Sequence, residues 1–194
     1  MAHNSLVLAS GSRYRRDLLE RLGVAFETWS PDVDETPRPS EPPRALAVRL
    51  ARAKADAAGK RFPKDWVIGS DQVADLDGTP LGKPGTLENA RRQLREVSGH
   101  TVLFHTALCV WNAREERRHE RVVTTDVAFR RLTDAEIERY LVLEPALDCA
   151  GSAKSEGLGI ALLSRLGGDD PTALVGLPLI ALAAILRAEG FDVP

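Results

Sequence analysis

The sequence predicts an α/β protein in which a mixed sheet is flanked by helices and bent into two lobes around a cleft. Two observations carry this. Short apolar runs of strand length alternate with helix-period segments through the first half of the chain, and two long alternating segments then follow each other in the middle, as an antiparallel pair does. Composition agrees with a globular chain: 43% of the 194 residues are hydrophobic and 28% charged. A chain of this length buries about 70% of its unfolded surface. No internal repeat, low-complexity tract or linker interrupts it, so one domain over residues 1–194 is expected.

Residues 6–9 form a short apolar strand, followed by Ser10, Gly11 and Ser12 and then a helical pattern through Leu18, Leu19 and Leu22 that stops at Gly23. Residues 25–29 alternate like a strand, and the Pro-rich acidic stretch 31–43 behind them reads as an exposed loop. Pro43 suits the first turn of a helix over 43–58, with Leu46, Leu50, Ala53 and Ala57 inward. Residues 67–73 are a buried strand, and Asp77-Gly78 is a tight turn. The loop 82–85 leads to Thr86, an N-cap for a helix running to about Val97. Strands over 101–110 and 121–129 pair through a connection at 112–114. Thr133 and Glu136 have capping-box spacing for a helix ending before Pro145. A strand at 160–163 and a last helix over 178–188 complete the pattern.

Acids outnumber bases 28 to 26, so there is no net basic field to hold nucleic acid, and phosphate recognition has to be local. Cys109 and Cys149 lack Cys-x-x-Cys spacing and read as reduced core residues. His3, His100, His105 and His119 show no metal-ligand spacing and read as structural or exposed. No basic leader and no apolar stretch of membrane-spanning length is apparent, so a cytoplasmic protein without a membrane partner is expected.

Asp71 and Gln72 follow the apolar run 67–70, and they are expected to emerge at the carboxyl end of that strand, where α/β proteins place ligands. Asp71 is therefore a catalytic candidate, and equally a carboxylate that caps a turn. Residues 10–16 lie between a strand and a helix, where backbone N–H groups, hydroxyls and guanidinium groups can converge on an anion. The simpler alternative leaves Ser12 as a cap and the arginines solvated. Asp32, Asp34 and Glu35 could hold Mg²⁺ together with substrate phosphates, with Asp71 as partner, or form a solvated acidic turn. Lys54 and Lys83 are either mobile ammonium groups aimed at a phosphate or snorkelling surface lysines. The small residues of 149–159 allow close backbone approach to a ligand or build a turn.

Taken in order, these segments resemble the Maf family of nucleoside triphosphate pyrophosphatases over nearly the whole chain. The family's Ser-x-Ser-x-x-Arg motif matches Ser10, Ser12 and Arg15, its loop acid Glu35, and its helix lysine Lys54. Its Gly-x-Asp pattern matches Gly69 to Asp71, its Gly-Lys-Pro loop matches Gly82, Lys83 and Pro84, and its late Val-Gly-Leu-Pro segment matches residues 175–178. Within the family the chain is most similar to the branch acting on 7-methyl-GTP, through Tyr14, Gln72 and the segment 150–157 with Glu156. The dTTP/UTP branch has arginine at the position of Tyr14 and glutamine at that of Glu156.

The resemblance implies an elongated mixed sheet, similar to inosine triphosphate pyrophosphatases, with the site in a cleft between lobes of a homodimer. It implies hydrolysis of a modified nucleotide to its monophosphate and pyrophosphate, with Mg²⁺ or Mn²⁺ as cofactor. Asp71 would be the proton acceptor, and Ser10, Ser12, Arg15, Lys54 and Lys83 would neutralise phosphate charge. Glu35 and Asp71 would hold the metal, while Tyr14, Gln72 and Glu156 would read the base. The alternatives are a dTTP/UTP pyrophosphatase and a nucleotide-binding regulator of cell division with little catalytic role. A pure binder has no use for the carboxylates of Glu35 and Asp71, which repel phosphate.

Overall fold

The structure, a computed structural model, describes residues 5–194; His3 and the reading of the amino terminus as lacking a leader concern residues 1–4, outside that range. Among the described residues seven strands and five α-helices follow in chain order: β1 Leu6–Leu8, α1 Arg13–Glu20, β2 Glu27–Thr28, α2 Pro43–Arg61, β3 Trp66–Leu76, β4 Thr79–Leu81, α3 Leu87–Val97, β5 Thr101–Asn112, β6 Arg117–Phe129, α4 Asp134–Leu143, β7 Leu163–Gly167 and α5 Leu179–Ala188. They build one mixed sheet in the order β2-β1-β3-β5-β6-β7, with β4 paired to β3. Strands β2, β1 and β3 run parallel, and the rest pair antiparallel.

Local chemistry sets the boundaries. The hydroxyls of Ser12, Thr86 and Thr133 accept from the first-turn N–H groups of α1, α3 and α4, and Glu136 closes a full capping box with Thr133. Each such cap contributes about 1 kcal/mol. Asp77 and Gly78 both have positive φ, 49° and 85°, the geometry of a two-residue hairpin turn, and the chain doubles back there into β4.

The long strands β3 and β5 run through both lobes. Their residues Ile68 and Leu108 face a core shared with α1 and α5, while Val67 and Cys109 face α2 on the opposite side. Further along the same strands, Ala74, Val102 and Phe104 enter a second core with α3 and α4. The cleft opens where one helical layer gives way to the other. Helix α2 lies directly on β3: a Cβ at Gly69 would sit 2.2 Å from the Ala51 carbonyl oxygen and 2.7 Å from the Ala55 nitrogen. That close approach sets Lys54 over Asp71.

Four sequence expectations change. Strand β3 continues past Asp71 to Leu76, so Asp71 lies in mid-strand and not at a strand end. Hairpin strand β4, hidden in a loop-like Pro-Gly stretch, was not expected. The segment expected as a strand at 160–163 is mostly 3-10, Leu158–Leu162, and the strand begins at Leu163. The reason is local: the Glu144 carboxylate accepts from the N–H groups of Leu158 (2.6 Å) and Gly159 (3.3 Å), which holds the backbone in a turn. Cys149 is half-buried and lines the cleft, whereas Cys109 is a core residue as expected.

Candidate active site

The cleft begins as a gap in strand pairing. Strand β1 covers one edge of β3 only from Trp66 to Ile68, and β4 returns to that edge only at Ala74. Between them, residues 69–73 have no strand partner on this edge, and the loop 10–12 leaves the end of β1 beside it. This is the arrangement that gives α/β sheets their ligand crevices, reached here in mid-strand because the neighbouring strand stops. The cleft encloses about 860 Å³, in the range of small-molecule sites. Its walls include the ten residues to which the family resemblance gives a role: Ser10, Ser12, Tyr14, Arg15, Glu35, Lys54, Asp71, Gln72, Lys83 and Glu156.

At one end the loop 10–15 folds around its own polar groups. The Ser10 hydroxyl accepts from the Ser12 N–H (3.2 Å) and from Arg15 Nη1 (3.3 Å), and Arg15 Nε donates to the Gly176 carbonyl (2.8 Å). Gly176 has φ of 120°, which favours glycine, and its carbonyl also receives the Ser70 hydroxyl at 3.0 Å. The late segment 175–178 thus serves to aim Arg15. Burial lowers the Arg15 pKa from its usual value, opposed by the charges of Asp71 and Glu35. An arginine remains a cation under such a shift.

Lys54 occupies the centre. Its Nζ lies 2.6 Å from Asp71 Oδ1 and 2.7 Å from Glu35 Oε1. Burial pushes the Glu35 pKa up, but the hydrogen bond from Lys54 and the charges of Lys54, Lys83 and Arg15 hold it below the usual carboxylate range. Of the acidic cluster 32–35, only Glu35 reaches the cleft; Asp34 accepts from the Thr36 N–H at 2.9 Å outside it. Lys83 is exposed on a loop fixed at three points, by Gln93 on the Gly82 carbonyl (2.9 Å), Asn89 on the Pro84 carbonyl (2.9 Å) and the Gly85 N–H on the Leu147 carbonyl (3.1 Å).

No group of three His, Cys, Asp or Glu side chains suited to a metal occurs among the described residues. Glu35 and Asp71 nevertheless place hard carboxylate oxygens around one ammonium, within a single contact of it. Such a pair suits Mg²⁺ or Mn²⁺, which take one or two carboxylates and complete their shell with phosphate oxygens and water.

The rest of the cleft wall includes aromatic side chains. Tyr14 is half-buried, and its hydroxyl donates to Asp148 Oδ2 (3.2 Å) while accepting from Arg13 Nη2 (3.0 Å). Phe104 and Phe129 also line the cleft. The Gln72 amide nitrogen donates to Thr106 Oγ1 and to the carbonyls of Ala173 and Leu174, each at 2.9 Å, so this nitrogen ties the 173–174 turn to the sheet. Glu156 is exposed at the rim with its carboxylate 3.4 Å from the Ser155 hydroxyl. Its loop is held from below by the Tyr140 hydroxyl, which accepts from the Lys154 N–H at 3.1 Å, and by Glu144.

Sequence reasoning missed Asp148, Phe104, Phe129 and Gly176 as cleft residues. Phe104 and Phe129 read as strand core, which they also are, and Asp148 stands in a loop with no motif of its own. His105, between Thr124 and Asp75, and His119, against Glu189, lie outside the cleft.

Comparison with known proteins accords with this geometry. The family model described as Maf-like protein matches residues 5–189. The 7-methyl-GTP pyrophosphatase of Xanthomonas axonopodis pv. citri (strain 306) is 59% identical over 189 residues, covering 97% of this chain and 98% of that protein. The protein of the same name from Aromatoleum aromaticum is 59% identical over 194 residues, covering 100% of both. Among solved structures, the Staphylococcus aureus Ham1 protein shares the fold, with a TM-score of 0.56 at 15% identity, over 96% of this chain and 100% of its own. A family match from the first described residue to the end of the last helix, with relatives this similar along their full length, shows that this chain belongs to the Maf family.

Proposed function

We propose that this protein is a nucleoside triphosphate pyrophosphatase that hydrolyses 7-methyl-GTP to the monophosphate and pyrophosphate. The observation that carries the reading is Lys54, buried and held at 2.6 and 2.7 Å by two carboxylates, beside a loop that turns two hydroxyls and an arginine into the same cleft. Relatives named for this activity at 59% identity support the choice of nucleotide. Tyr14 and Glu156 at the rim favour it over dTTP or UTP.

In this reading Ser10, Ser12, Arg15 and Lys83 neutralise the triphosphate, whose charge is the main obstacle to attack. Lys54 shifts from ion pairing toward the phosphates as substrate enters. Asp71 orients a water and takes its proton as the water oxygen bonds to phosphorus. One P–O bond of the α–β anhydride breaks, and the departing oxygen keeps the electron pair, on pyrophosphate or on the monophosphate according to which phosphorus is attacked. Glu35 and Asp71 would hold Mg²⁺ or Mn²⁺, which when bound screens phosphate charge and polarises the anhydride. Tyr14 and Glu156 would contact the base, and Gln72 would shape its pocket by fixing the 173–174 turn.

A homodimer belongs to the same proposal, supported by the exposed apolar side chains Val142, Leu143 and Ile160. So does a cytoplasmic location; among the described residues no helix is long and apolar enough to cross a membrane. The deciding experiment is a pyrophosphate-release screen over standard and modified nucleotides with Mg²⁺ and Mn²⁺. Turnover of 7-methyl-GTP above GTP, dTTP and UTP is expected. Absence of pyrophosphate release from every nucleotide would refute the catalytic reading, and a dTTP or UTP preference would move the protein to the other branch.

A further inference from the structure

Arg15, Lys54 and Lys83 are the cations assigned to the phosphates, and Asp148 lines the same cleft beside Tyr14, whose hydroxyl lies 3.2 Å from its carboxylate. The Asp148 carboxylate has only weak, neutral direct partners, the Tyr14 hydroxyl at 3.2 Å and the Cys149 thiol at 3.7 Å. No ion pair to it within 4.0 Å occurs among the described residues. It is exposed, and it opens on the cleft.

The protein's own cations collect at this corner. The Arg13 guanidinium, a planar delocalised cation, lies 4.9 Å from the Tyr14 ring centroid, and Lys154 Nζ lies 5.7 Å from it. Arg13 is exposed, while Lys154 is half-buried with its Nζ also 3.8 Å from Glu144 Oε1. The Tyr14 hydroxyl and, more weakly, the charge of Asp148 raise the Arg13 pKa, but Asp148 holds no direct ion pair among the described residues, and an aromatic face next to such a carboxylate is a receptor for a flat positive charge. Alkylation of guanine at N7 makes the base such a cation and leaves its N1–H more acidic, so a nearby carboxylate favours the charged form over neutral guanine.

We propose that Asp148 is a specificity-determining residue that selects, beside Tyr14 in the cleft, nucleotides whose base carries positive charge, the N7-alkylated purines. This rests on the nucleotide pyrophosphatase reading of the cleft and extends it to a residue outside the matched motifs. Glu156 lines the same cleft, but its carboxylate contacts Ser155, whereas that of Asp148 contacts the Tyr14 hydroxyl itself.

The test reads binding and turnover separately, on the full chain. Affinities for 7-methyl-GMP and GMP are measured by calorimetry for wild type, Asp148→Asn, Asp148→Glu and Tyr14→Phe, with thermal midpoints as a folding control. Asp148→Asn should lower the ratio of 7-methyl-GMP to GMP affinity by about tenfold, the scale of one lost charge-assisted contact. Asp148→Glu should restore most of it, and Tyr14→Phe should keep it, because ring and carboxylate both remain. An unchanged ratio in folded Asp148→Asn overturns the proposal. Equal losses for both nucleotides also overturn it, since the carboxylate would then read the neutral N1 and N2 edge. A fall in Tyr14→Phe equal to that in Asp148→Asn overturns it as well, because Asp148 would act only by placing the phenol. Should Asp148→Asn fail to fold, Asp148→Ser carries the same expectation. Pyrophosphate release is scored independently: a wild type that discriminates in binding but hydrolyses nothing refutes the pyrophosphatase reading and leaves Asp148 in its role.

Discussion

Replacing Asp71 with asparagine separates chemistry from architecture. The amide keeps the shape and removes one carboxylate oxygen charge from Lys54, which is 2.6 Å away. Asp71 and Lys54 side chains are only 11% and 10% exposed, so this pair is buried. Orphaning a buried charge costs about 3–5 kcal/mol. Lys54, however, retains Glu35 at 2.7 Å, and Glu35 is 61% exposed, so the remaining pair is well solvated. The stability loss should therefore stay near 1.5–3 kcal/mol, the range of a single lost hydrogen bond to a charged group. A domain stable by about 5–15 kcal/mol survives that. Loss of the proton acceptor, by contrast, should lower the rate by about 10²–10⁴-fold, or roughly 2.7–5.5 kcal/mol in the barrier. Pyrophosphate release, nucleotide affinity and the thermal midpoint are measured together. The expected pattern is a small shift in midpoint, retained binding and a large fall in turnover. Wild-type turnover in the folded variant would make Asp71 no more than a counter-ion for Lys54 and refute the mechanism.

Three further outcomes are expected. Arg15→Ala and Lys83→Ala should each weaken transition-state binding by about 1.5–3 kcal/mol, read as kcat/KM, with a near-wild-type midpoint for Lys83→Ala and a lowered one for Arg15→Ala, which also loses hydrogen bonds to Gly176 and Ser10; unfolding of both variants would mark the two side chains as structural. Gly69→Ala should destabilise by about 1–3 kcal/mol or more, because its Cβ would meet the Ala51 carbonyl at 2.2 Å, and an unchanged melting curve would show that α2 is free to move away from β3. Acid should destabilise the protein: Glu41, hydrogen-bonded by Arg49, and Glu136, hydrogen-bonded by the Thr133 N–H, have pKa values lowered to about 2. A carboxylate depressed on folding stabilises above its unfolded pKa of about 4.3 and loses that contribution as pH falls toward the folded value. The midpoint should thus drop between about pH 4.5 and 2, and less steeply in Glu136→Gln; a flat profile in both proteins would contradict the assignment.

Much of the fold was legible because its signals are local. Thr86, Thr133 and Ser12 cap the helices they precede, Asp77-Gly78 turns as that dipeptide does, and the alternation over β5 and β6 gives an antiparallel pair. The segment 158–163 was not legible, because a four-residue apolar run has no period of its own and Glu144, fourteen residues earlier, decides its backbone. Strand β4 escaped for the related reason that its three residues form a strand only against β3.

The candidate site divides along the same line. Ser10, Ser12 and Arg15 lie on one strand–helix turn, so their proximity is visible in the spacing. The meeting of Lys54 with Asp71 is not, since it depends on Gly69 letting α2 touch β3. Nor could the sequence place Asp71 correctly along its strand. An apolar run that meets an acid resembles a strand end, but β3 goes on to Leu76, and what ends is its neighbour β1, at Leu8. The edge opened by that early stop lets an acid in mid-strand face a nucleotide-sized space. The same cleft brings Asp148, 134 residues from Tyr14, into contact with the Tyr14 hydroxyl. A local motif can mark the phosphate end of such a site, whereas its base end is assembled from segments that only the completed sheet brings together.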